Sequence, residues 1–310
     1  MCKVLVKTLG LSHEDWLSYR RQGLGGSDAG AICGLNPYSS PMNVYIDKTS
    51  DEISLKDNEA MRVGRDLEDY VAKRFMDASG LKVRRANAIF MNEKYPHLLA
   101  NVDRMIIGEN IGLECKTASP YSSGKYKDGE LPAHYMMQCY HYMAVTGADA
   151  WYIAVLILGQ EFKFARIDRD EEIIENLIKI ETDFWNNHII PRHIPEPDGS
   201  EAADGIINQY YNRANSEKSI PLQGFDESLE RRSEISILME KLELEKSKIE
   251  QEIKMYMQDA EIAMNDKYKI TWKNAFMARL DSTKLKEEMP DIYNRFSKPS
   301  SSRRLLIRSA

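Results

Sequence analysis

A nearly continuous apolar run at residues 150–158, AWYIAVLIL, constrains the fold of this chain more than any other segment. A short apolar run without alternation is typical of a strand that is buried on both faces, as at the centre of a sheet covered by helices. The run is too short for a membrane-spanning helix, which needs about 18 apolar residues. No other apolar run in the chain approaches the length of a membrane-spanning helix. The sequence therefore predicts an α/β protein with a covered sheet.

Composition narrows the class of protein further. Hydrophobic residues make up 43% and charged residues 29% of the 310 residues, which excludes disorder as the main state. The start of the chain lacks the apolar stretch and cleavage pattern of a signal peptide, so we expect a cytosolic protein without a membrane anchor. The cysteines form no CxxC pair, which argues against a disulfide framework, a zinc ribbon or an iron–sulphur cluster. They are Cys2, Cys33, Cys115 and Cys139.

Helical and strand patterns alternate along the first 200 residues. Apolar residues recur every four positions over residues 59–78, which predicts an amphipathic helix closed by Gly80. Short β-rich runs follow, and the turn GENIG joins the last two, LLANVDRMII and IGLECKT, into a hairpin. A second helix is expected over residues 133–146, and a third begins at an aspartate cap, Asp168 or Asp170.

Changes of composition divide the chain into a core domain, a linker, a long helix or coiled coil, and a small α/β extension with a basic tail. These segments are residues 1–200, 201–225, 226–262 and 263–310. The long helix carries apolar residues at three-, four- and seven-residue spacing. Because Glu245 and Glu252 fall in that apolar seam, a helical hairpin or a helix packed on the core is an equal alternative to a coiled coil.

Three charged residues at the ends of the predicted hairpin strands carry the chemistry. Strand side chains alternate faces, so Glu114 and Lys116 share one face while Cys115 points to the other. Pairing across the GENIG turn brings Asp103 near Glu114, and two close carboxylates repel unless a cation lies between them. Oxygen ligands suit Mg²⁺, and a neighbouring lysine can orient a water, which is the chemistry of phosphodiester hydrolysis. The alternative is an exposed hairpin face with an incidental ion pair.

The order of the surrounding motifs resembles the PD-(D/E)XK nuclease superfamily, and within it the YqaJ-type viral recombinases related to phage lambda exonuclease. The matching segments are RQGLGGSDAGAICGLNPY, GRDLEDYVAKRF, NVDRMIIGENIGLECKT and HYMMQCYHYMAVTG, within residues 13–190. Val102 stands where the superfamily has its name-giving proline. The resemblance implies a central mixed sheet flanked by helices, to which the long helix and the small extension are appended.

The resemblance also implies roles for individual residues. Asp103, Glu114 and the main-chain carbonyl of Cys115 would bind Mg²⁺, with Mn²⁺ as an alternative and two ions per site, and Lys116 would position the attacking water. Glu68 would complete the metal site from the first helix. Two residues on the helix over residues 133–146 follow: Gln138 would support the site, and Tyr142 is expected to pack.

A pocket for the 5′-phosphate of DNA is implied around Arg21, Ser27 and Asn101. A guanidinium binds phosphate through two hydrogen bonds, and a glycine-rich turn that opens a helix, capped by Ser27 or Asp28, presents N–H groups to an anion. The offset from Arg21 to Ser27 is one residue shorter than the lambda enzyme leads us to expect. Arg21 is alternatively one of a surface pair with Arg20.

The expected function is a magnesium-dependent 5′-to-3′ exonuclease on linear double-stranded DNA, which releases 5′-mononucleotides and leaves 3′ single strands for recombination. The family implies a phage or prophage origin, a homo-oligomeric ring, expected to be a trimer, and a single-strand-annealing partner. Because the net charge is −6, DNA binding depends on a local basic surface. The alternatives are an endonuclease of the same superfamily and a DNA-binding scaffold without catalysis.

Overall fold

The computed structural model describes residues 2–50, 59–121, 124, 126, 130–298 and 303–308. The chain forms two compact units, Met1–Asn212 and Arg213–Ala310. No helix in the described ranges has both the length and the apolar content needed to cross a bilayer.

Two sheets lie in the first unit. Their strands are β1 (Cys2–Lys7), β2 (Val83–Arg85), β3 (Ala88–Asn92), β4 (Leu99–Asn101), β5 (Arg104–Ile106), β6 (Ile111–Ala118), β7 (Ala150–Ile157) and β8 (Glu161–Asp168). The main sheet has the order β2-β5-β6-β7-β8, with β6 and β7 parallel and the other neighbours antiparallel. The second sheet, β1-β3-β4, is antiparallel throughout. The predicted central mixed sheet is confirmed, and AWYIAVLIL supplies its buried strand β7.

Helices cover the main sheet. In the described part of the first unit they are α1 (His13–Arg21), α2 (Gly26–Ile32), α3 (Pro41–Thr49), α4 (Glu59–Ser79), α5 (Ala133–Thr146), α6 (Glu171–Phe184) and α7 (Glu201–Tyr210). A π-helical turn, Trp185–Ile189, continues α6. Asp170 caps α6 by accepting a hydrogen bond from the Ile173 N–H group. Gly80 and Gly147 end α4 and α5 at φ angles of +75° and +73°, a conformation that glycine adopts without strain.

The main sheet separates two apolar clusters. Strands β6 and β7 run in register, so paired residues share a face. On the face towards α5, Trp151 and Ile153 are fully buried. On the face towards α4, Leu113 and Ala154 pack with Phe75. Full burial of a large apolar side chain contributes about 1.5–3 kcal/mol to stability, so these two clusters fix α4 and α5 on opposite faces.

The chain crosses from one sheet to the other at Val102 and Asp103. The segment LLANVDRMII, expected to be one strand, is divided into β4 and β5, which belong to different sheets. Val102 is buried in the cluster towards α5. A short parallel bridge between Leu24 and Leu98 holds the chain before α2 beside β4. The crossing point and the start of α2 are thereby brought close together.

The first unit extends to Asn212, into the segment 201–225 that sequence analysis assigned to a linker. Helix α7 buries Ala203 and packs against α3. In the second unit the described elements are α8 (Asp226–Met257), β9 (Ile262–Met264), β10 (Lys269–Thr271), α9 (Ser282–Glu288) and α10 (Pro290–Phe296). Most of α8 is exposed, and its last residue, Met257, is buried. Residues 299–302 and 309–310 of the basic tail lie outside the described residues.

Candidate active site

The hairpin of β5 and β6 arranges the acidic residues as the sequence predicts. Arg104 pairs with Leu113, which places Asp103 opposite Glu114 at the end of the ladder. The carboxylate Oδ2 of Asp103 accepts a hydrogen bond from the main-chain N–H group of Cys115 at 2.9 Å. Because side chains alternate along β6, Glu114 lies on the face towards α5 and Cys115 packs on the face towards α4.

Glu114 is held by two donors. The side chain is buried, with 3% of its residue surface exposed. Its Oε1 accepts hydrogen bonds from Lys116 Nζ at 2.6 Å and from Gln138 Nε2 at 2.7 Å. Gln138 Nε2 also donates to the Tyr142 hydroxyl at 2.8 Å, so α5 fixes the amide from behind. The other oxygen, Oε2, is buried without a hydrogen-bond partner, which normally carries a desolvation penalty.

Burial and charge perturb two of these groups. Burial raises the pKa of Asp103 well above its usual range, and the negative charges of Glu114 and Glu68 raise it further. Burial acts to lower the pKa of Lys116, but Glu114, Tyr135 and Asp103 together outweigh it, so the pKa of Lys116 is raised and the ammonium stays protonated. The site thus contains more buried negative charge than Lys116 alone balances.

These features fit a bound divalent cation. The unpartnered Glu114 Oε2 and the raised pKa of Asp103 both indicate a place where a positive charge would be stabilised. Within the described residues, no three side chains of His, Cys, Asp or Glu come together as a metal-binding group. The side-chain oxygens that the hairpin brings together are those of Asp103 and Glu114.

Glu68 approaches the site from α4, which packs on the other face of the sheet from Glu114. Its Oε1 accepts a hydrogen bond from Arg104 Nη1 at 2.5 Å, and its negative charge contributes to the raised pKa of Asp103. The role of Glu68 as a metal ligand stays a prediction, and sequence reasoning did not identify Arg104 as its partner. An arginine on a three-residue strand has no local signal for such a role, because its partners come from α4.

The candidate phosphate-binding residues centre on Arg20. Arg20 Nη2 donates to the Ser27 hydroxyl at 2.7 Å, and its guanidinium lies 5.4 Å from the centre of the Trp16 ring. Trp16 Nε1 donates to Asn101 Oδ1 at 3.4 Å. The structure therefore places Arg20 beside Ser27 and near Asn101, and the assignment of the phosphate contact to Arg21 stays a prediction. Ser27 is seven residues after Arg20 and six after Arg21.

The start of α2 differs from the expected cap. Gly25 is the N-cap residue, and neither Ser27 nor Asp28 occupies that position. The Asp28 carboxylate instead accepts a hydrogen bond from the Gly25 N–H group at 2.8 Å and pairs with Lys48 Nζ at 2.8 Å. Burial acts to raise the pKa of Asp28, but Lys48 and Arg20 outweigh it, so the pKa is lowered. The first turn of α2 is thus stabilised internally.

Comparisons with known proteins identify the family of this chain. The model of the YqaJ-like viral recombinase domain matches residues 15–149. The Bacillus subtilis (strain 168) protein YqaJ is 39% identical over 310 residues, which cover 99% of this chain and 97% of that protein. The chain belongs to the YqaJ-like viral recombinase family. The family expected from the motifs is therefore confirmed.

A solved structure supports the fold of this YqaJ-family chain. The alkaline exonuclease LHK-Exo from Laribacter hongkongensis superposes with a TM-score of 0.50 at 16% sequence identity. The match covers 65% of this chain and all of the other. The shared fold agrees with the expected PD-(D/E)XK-like core.

A glycine at the start of α2, Gly26, allows α2 to approach Tyr142 and Gln138 of α5 closely in this YqaJ-family chain. A Cβ atom on Gly26 would lie 2.6 Å from Tyr142 Cε1 and 3.0 Å from Gln138 Cγ. We expect Gly26→Ala to displace Tyr142 and Gln138 and to lower the free energy of unfolding by about 1–3 kcal/mol, because overpacking a dense core forces side chains from their rotamers. Urea denaturation measures the change.

Gly64→Ala is the matched control for that substitution. Gly64 also lies within a helix, but a Cβ atom there would meet only Thr117 Oγ1, at 3.6 Å, an ordinary contact. Alanine is the better helix former by about 1 kcal/mol, so this variant should be as stable as the wild type or more stable. Equal stability of the two variants would show that the approach of Gly26 to Tyr142 is not constrained.

Proposed function

We propose that this chain is a Mg²⁺-dependent exonuclease that degrades linear double-stranded DNA from its 5′ ends. It releases 5′-mononucleotides and leaves a 3′ single strand for recombination. The observation that carries the proposal is the sharing of one sheet edge by Asp103, Glu114 and Lys116, where Glu114 Oε2 is buried without a partner. Membership of the YqaJ-like viral recombinase family supports a role in DNA recombination.

Three groups would hold the cation. They are the carboxylates of Asp103 and Glu114 and the main-chain carbonyl of Cys115. When bound, Mg²⁺ or Mn²⁺ supplies positive charge to a phosphate and lowers the pKa of a water, which is the chemistry that hydrolysis of a phosphodiester requires. All three donors are oxygens, which hard divalent cations prefer.

The residues of the chain have separate tasks. Lys116 keeps its proton, so Nζ acts as a donor that orients a water and stabilises charge on the phosphate oxygens. Gln138 holds Glu114 through Oε1, and Tyr142 holds Gln138 in turn. These hydrogen bonds engage Oε1 and leave Oε2 of Glu114 without a partner, so Oε2 would be available to the cation.

Arg20 and Ser27 would bind the 5′-phosphate of the DNA end. Ser27 is exposed, and its hydroxyl already contacts the guanidinium that would bind the phosphate. A guanidinium forms charge-assisted hydrogen bonds with two phosphate oxygens at once. Asn101 lies two residues before Asp103, so it connects this pocket with the catalytic residues. A 5′-phosphate held there would set the position of each cut.

Digestion of defined DNA substrates tests the proposal. The wild-type chain is incubated with a 5′-phosphorylated linear duplex or a covalently closed circle, in Mg²⁺ or EDTA. We expect mononucleotides from the linear duplex only, only in Mg²⁺, with loss of label from the 5′ ends first. Cleavage of the circle would replace the exonuclease with an endonuclease. Binding without products in Mg²⁺ or Mn²⁺ would replace it with a scaffold.

Substitution of Arg20 and of Arg21, one at a time, tests which arginine binds the 5′-phosphate. We expect Arg20→Ala to abolish the preference for a 5′-phosphorylated end over a 5′-hydroxyl end and to raise KM about 10-fold or more, because hydrogen bonds to charged groups contribute about 1.5–3 kcal/mol. Arg21→Ala is the neighbouring control and should keep the preference. Loss of the preference in Arg21→Ala alone would return the phosphate contact to Arg21.

The proposal extends to assembly and partners. A homo-oligomeric ring, a trimer, would enclose DNA in a local basic channel, which an acidic chain with a net charge of −6 requires for processive action. A single-strand-annealing protein would receive the 3′ strand in the bacterial cytoplasm. Sedimentation velocity of the full chain measures the oligomeric state directly.

A further inference from the structure

Arg104 is a buried cation that the proposed mechanism does not use. Only 4% of its surface is exposed. Its Nη1 donates to Glu68 Oε1 at 2.5 Å and to the main-chain carbonyl of Asp103 at 2.8 Å, and its Nη2 donates to Asp69 Oδ1 at 2.5 Å. A guanidinium is planar and rigid, so these contacts fix its partners relative to one another. Arg104 therefore connects α4 with the residue that begins the active-site hairpin.

The position of Arg104 relative to the site follows from the register. Arg104 pairs with Leu113 and lies on the face towards α4, whereas Lys116 lies on the face towards α5. The carboxylates of the site are thus flanked by one cation on each face of the sheet. Lys116 contacts Glu114, and Arg104 contacts Glu68.

Packing alone does not explain this arrangement. Asp69 is 67% exposed and also pairs with Arg85, so it does not need a buried arginine for its own solvation. Burying a guanidinium is costly, and the cost is offset only when its hydrogen bonds are well satisfied. Two of the three groups that satisfy Arg104 belong to residues of the candidate site, Glu68 and Asp103.

We propose that Arg104 is a positioning residue for the cation site: it holds the Glu68 carboxylate at the sheet edge and fixes the main chain of Asp103 before a cation binds. The inference rests on the proposed function, since it assigns a supporting role in that same site. Groups that orient metal ligands in this way typically change metal affinity by about 10–100-fold when they are removed.

Binding of Mn²⁺ alone, without DNA, tests the inference. Free Mn²⁺ is measured by electron paramagnetic resonance in a titration of the full chain. We expect Arg104→Lys to weaken Mn²⁺ binding about 10-fold, because lysine keeps the charge but cannot bridge Glu68 and Asp69. Arg85→Ala is the matched control: it removes the other partner of Asp69 and leaves the contacts of Arg104 in place, so affinity should stay within about twofold of wild type.

A double-mutant cycle distinguishes positioning from a purely structural role. If Arg104 acts through Glu68, the loss caused by Arg104→Lys becomes smaller in a Glu68→Gln background. Asp69→Asn, at an exposed position, loosens the second anchor of Arg104 without a large core change and should weaken Mn²⁺ binding in the same direction. This variant gives the answer even if Arg104→Lys folds poorly.

The outcomes separate this inference from the proposed function. Wild-type Mn²⁺ affinity in both Arg104→Lys and Asp69→Asn, or a fully additive cycle with Glu68→Gln, would overturn the positioning role and leave the proposed exonuclease intact. A wild-type chain that binds no Mn²⁺ and digests no DNA would overturn both.

Discussion

Lys116→Ala should lower the rate of DNA hydrolysis by about 10²–10⁴-fold, the range that a positioned proton-transfer or charge-stabilising group contributes. The ammonium lies 2.6 Å from Glu114 Oε1 and 4.9 Å from the centre of the Tyr135 ring, so it is fixed between a carboxylate and an aromatic face. Alanine removes the donor and leaves the negative charge of Glu114 uncompensated. Single-turnover digestion of a 5′-phosphorylated duplex measures the rate.

Binding of the DNA end distinguishes a catalytic loss from a loss of affinity. We expect Lys116→Ala to bind an end-labelled duplex in Ca²⁺ within a few-fold of wild type, because the phosphate contacts assigned to Arg20 are unchanged. Lys246→Ala is the control: Lys246 belongs to the second unit, where its Nζ pairs with Glu243 on α8, and the rate should be preserved. A Lys116→Ala variant that keeps most of the wild-type rate would contradict the assigned role.

His141→Leu should lower the free energy of unfolding by about 3–5 kcal/mol, because it leaves a buried carboxylate without its partner. His141 and Glu181 are fully buried, with Nδ1 2.7 Å from Glu181 Oε1 and Nε2 2.8 Å from the Leu99 carbonyl. Both ring nitrogens face acceptors, so both donate and the ring is an imidazolium. The pair ties α5 to α6 and β4, the elements behind the active site.

The titration of His141 makes the free energy of unfolding depend on pH. Burial acts to lower the pKa of His141, but Glu181 and the Leu99 carbonyl raise it above the ordinary value of 6.5. A raised pKa in the folded state adds stability that is complete below pH 6.5 and is lost as pH rises through the folded-state pKa. We therefore expect the free energy of unfolding to fall above pH 6.5. Burial and the charge of His141 lower the pKa of His97, so its titration lies below that range.

Denaturation of a double variant tests both the stability that His141 contributes and its dependence on pH. Replacement of both partners, His141→Leu with Glu181→Leu, removes the unpaired charge and should recover at least half of the lost stability. Its pH dependence above 6.5 should also be weaker than that of wild type. A His141→Leu variant as stable as wild type would show that the contact of His141 with Glu181 does not stabilise the folded protein.

The parts of the fold that were predicted correctly are those with a strong local pattern. The apolar run of β7, the four-residue periodicity of α4 and the turn of the β5–β6 hairpin each encode their structure within about 20 residues or fewer. Strand β1 was missed, since its six residues alternate only partly and its partner β3 lies some 85 residues away in the chain. The division of LLANVDRMII was missed because sheet membership depends on distant strands.

The same distinction separates the site residues. Side-chain alternation along β6 is local, so Glu114 and Lys116 could be assigned to one face from the sequence. The contacts of Arg20 with Ser27 and of Arg104 with Glu68 are tertiary and depend on how α1, α2 and α4 pack. Neighbouring arginines look alike in a sequence, so the contact of Arg20 with Ser27 could be found only in the three-dimensional arrangement.

The two faces of β6 have a consequence for how distant homologues are detected. Glu114 and Lys116 face polar partners, so their positions require a particular charge. Cys115 faces an apolar cluster, so its position requires mainly a particular side-chain volume. Mutational drift at position 115 can therefore exchange residues of similar size while positions 114 and 116 stay fixed in type. A search that weights alternate positions of this strand should therefore detect divergent relatives better than overall identity does.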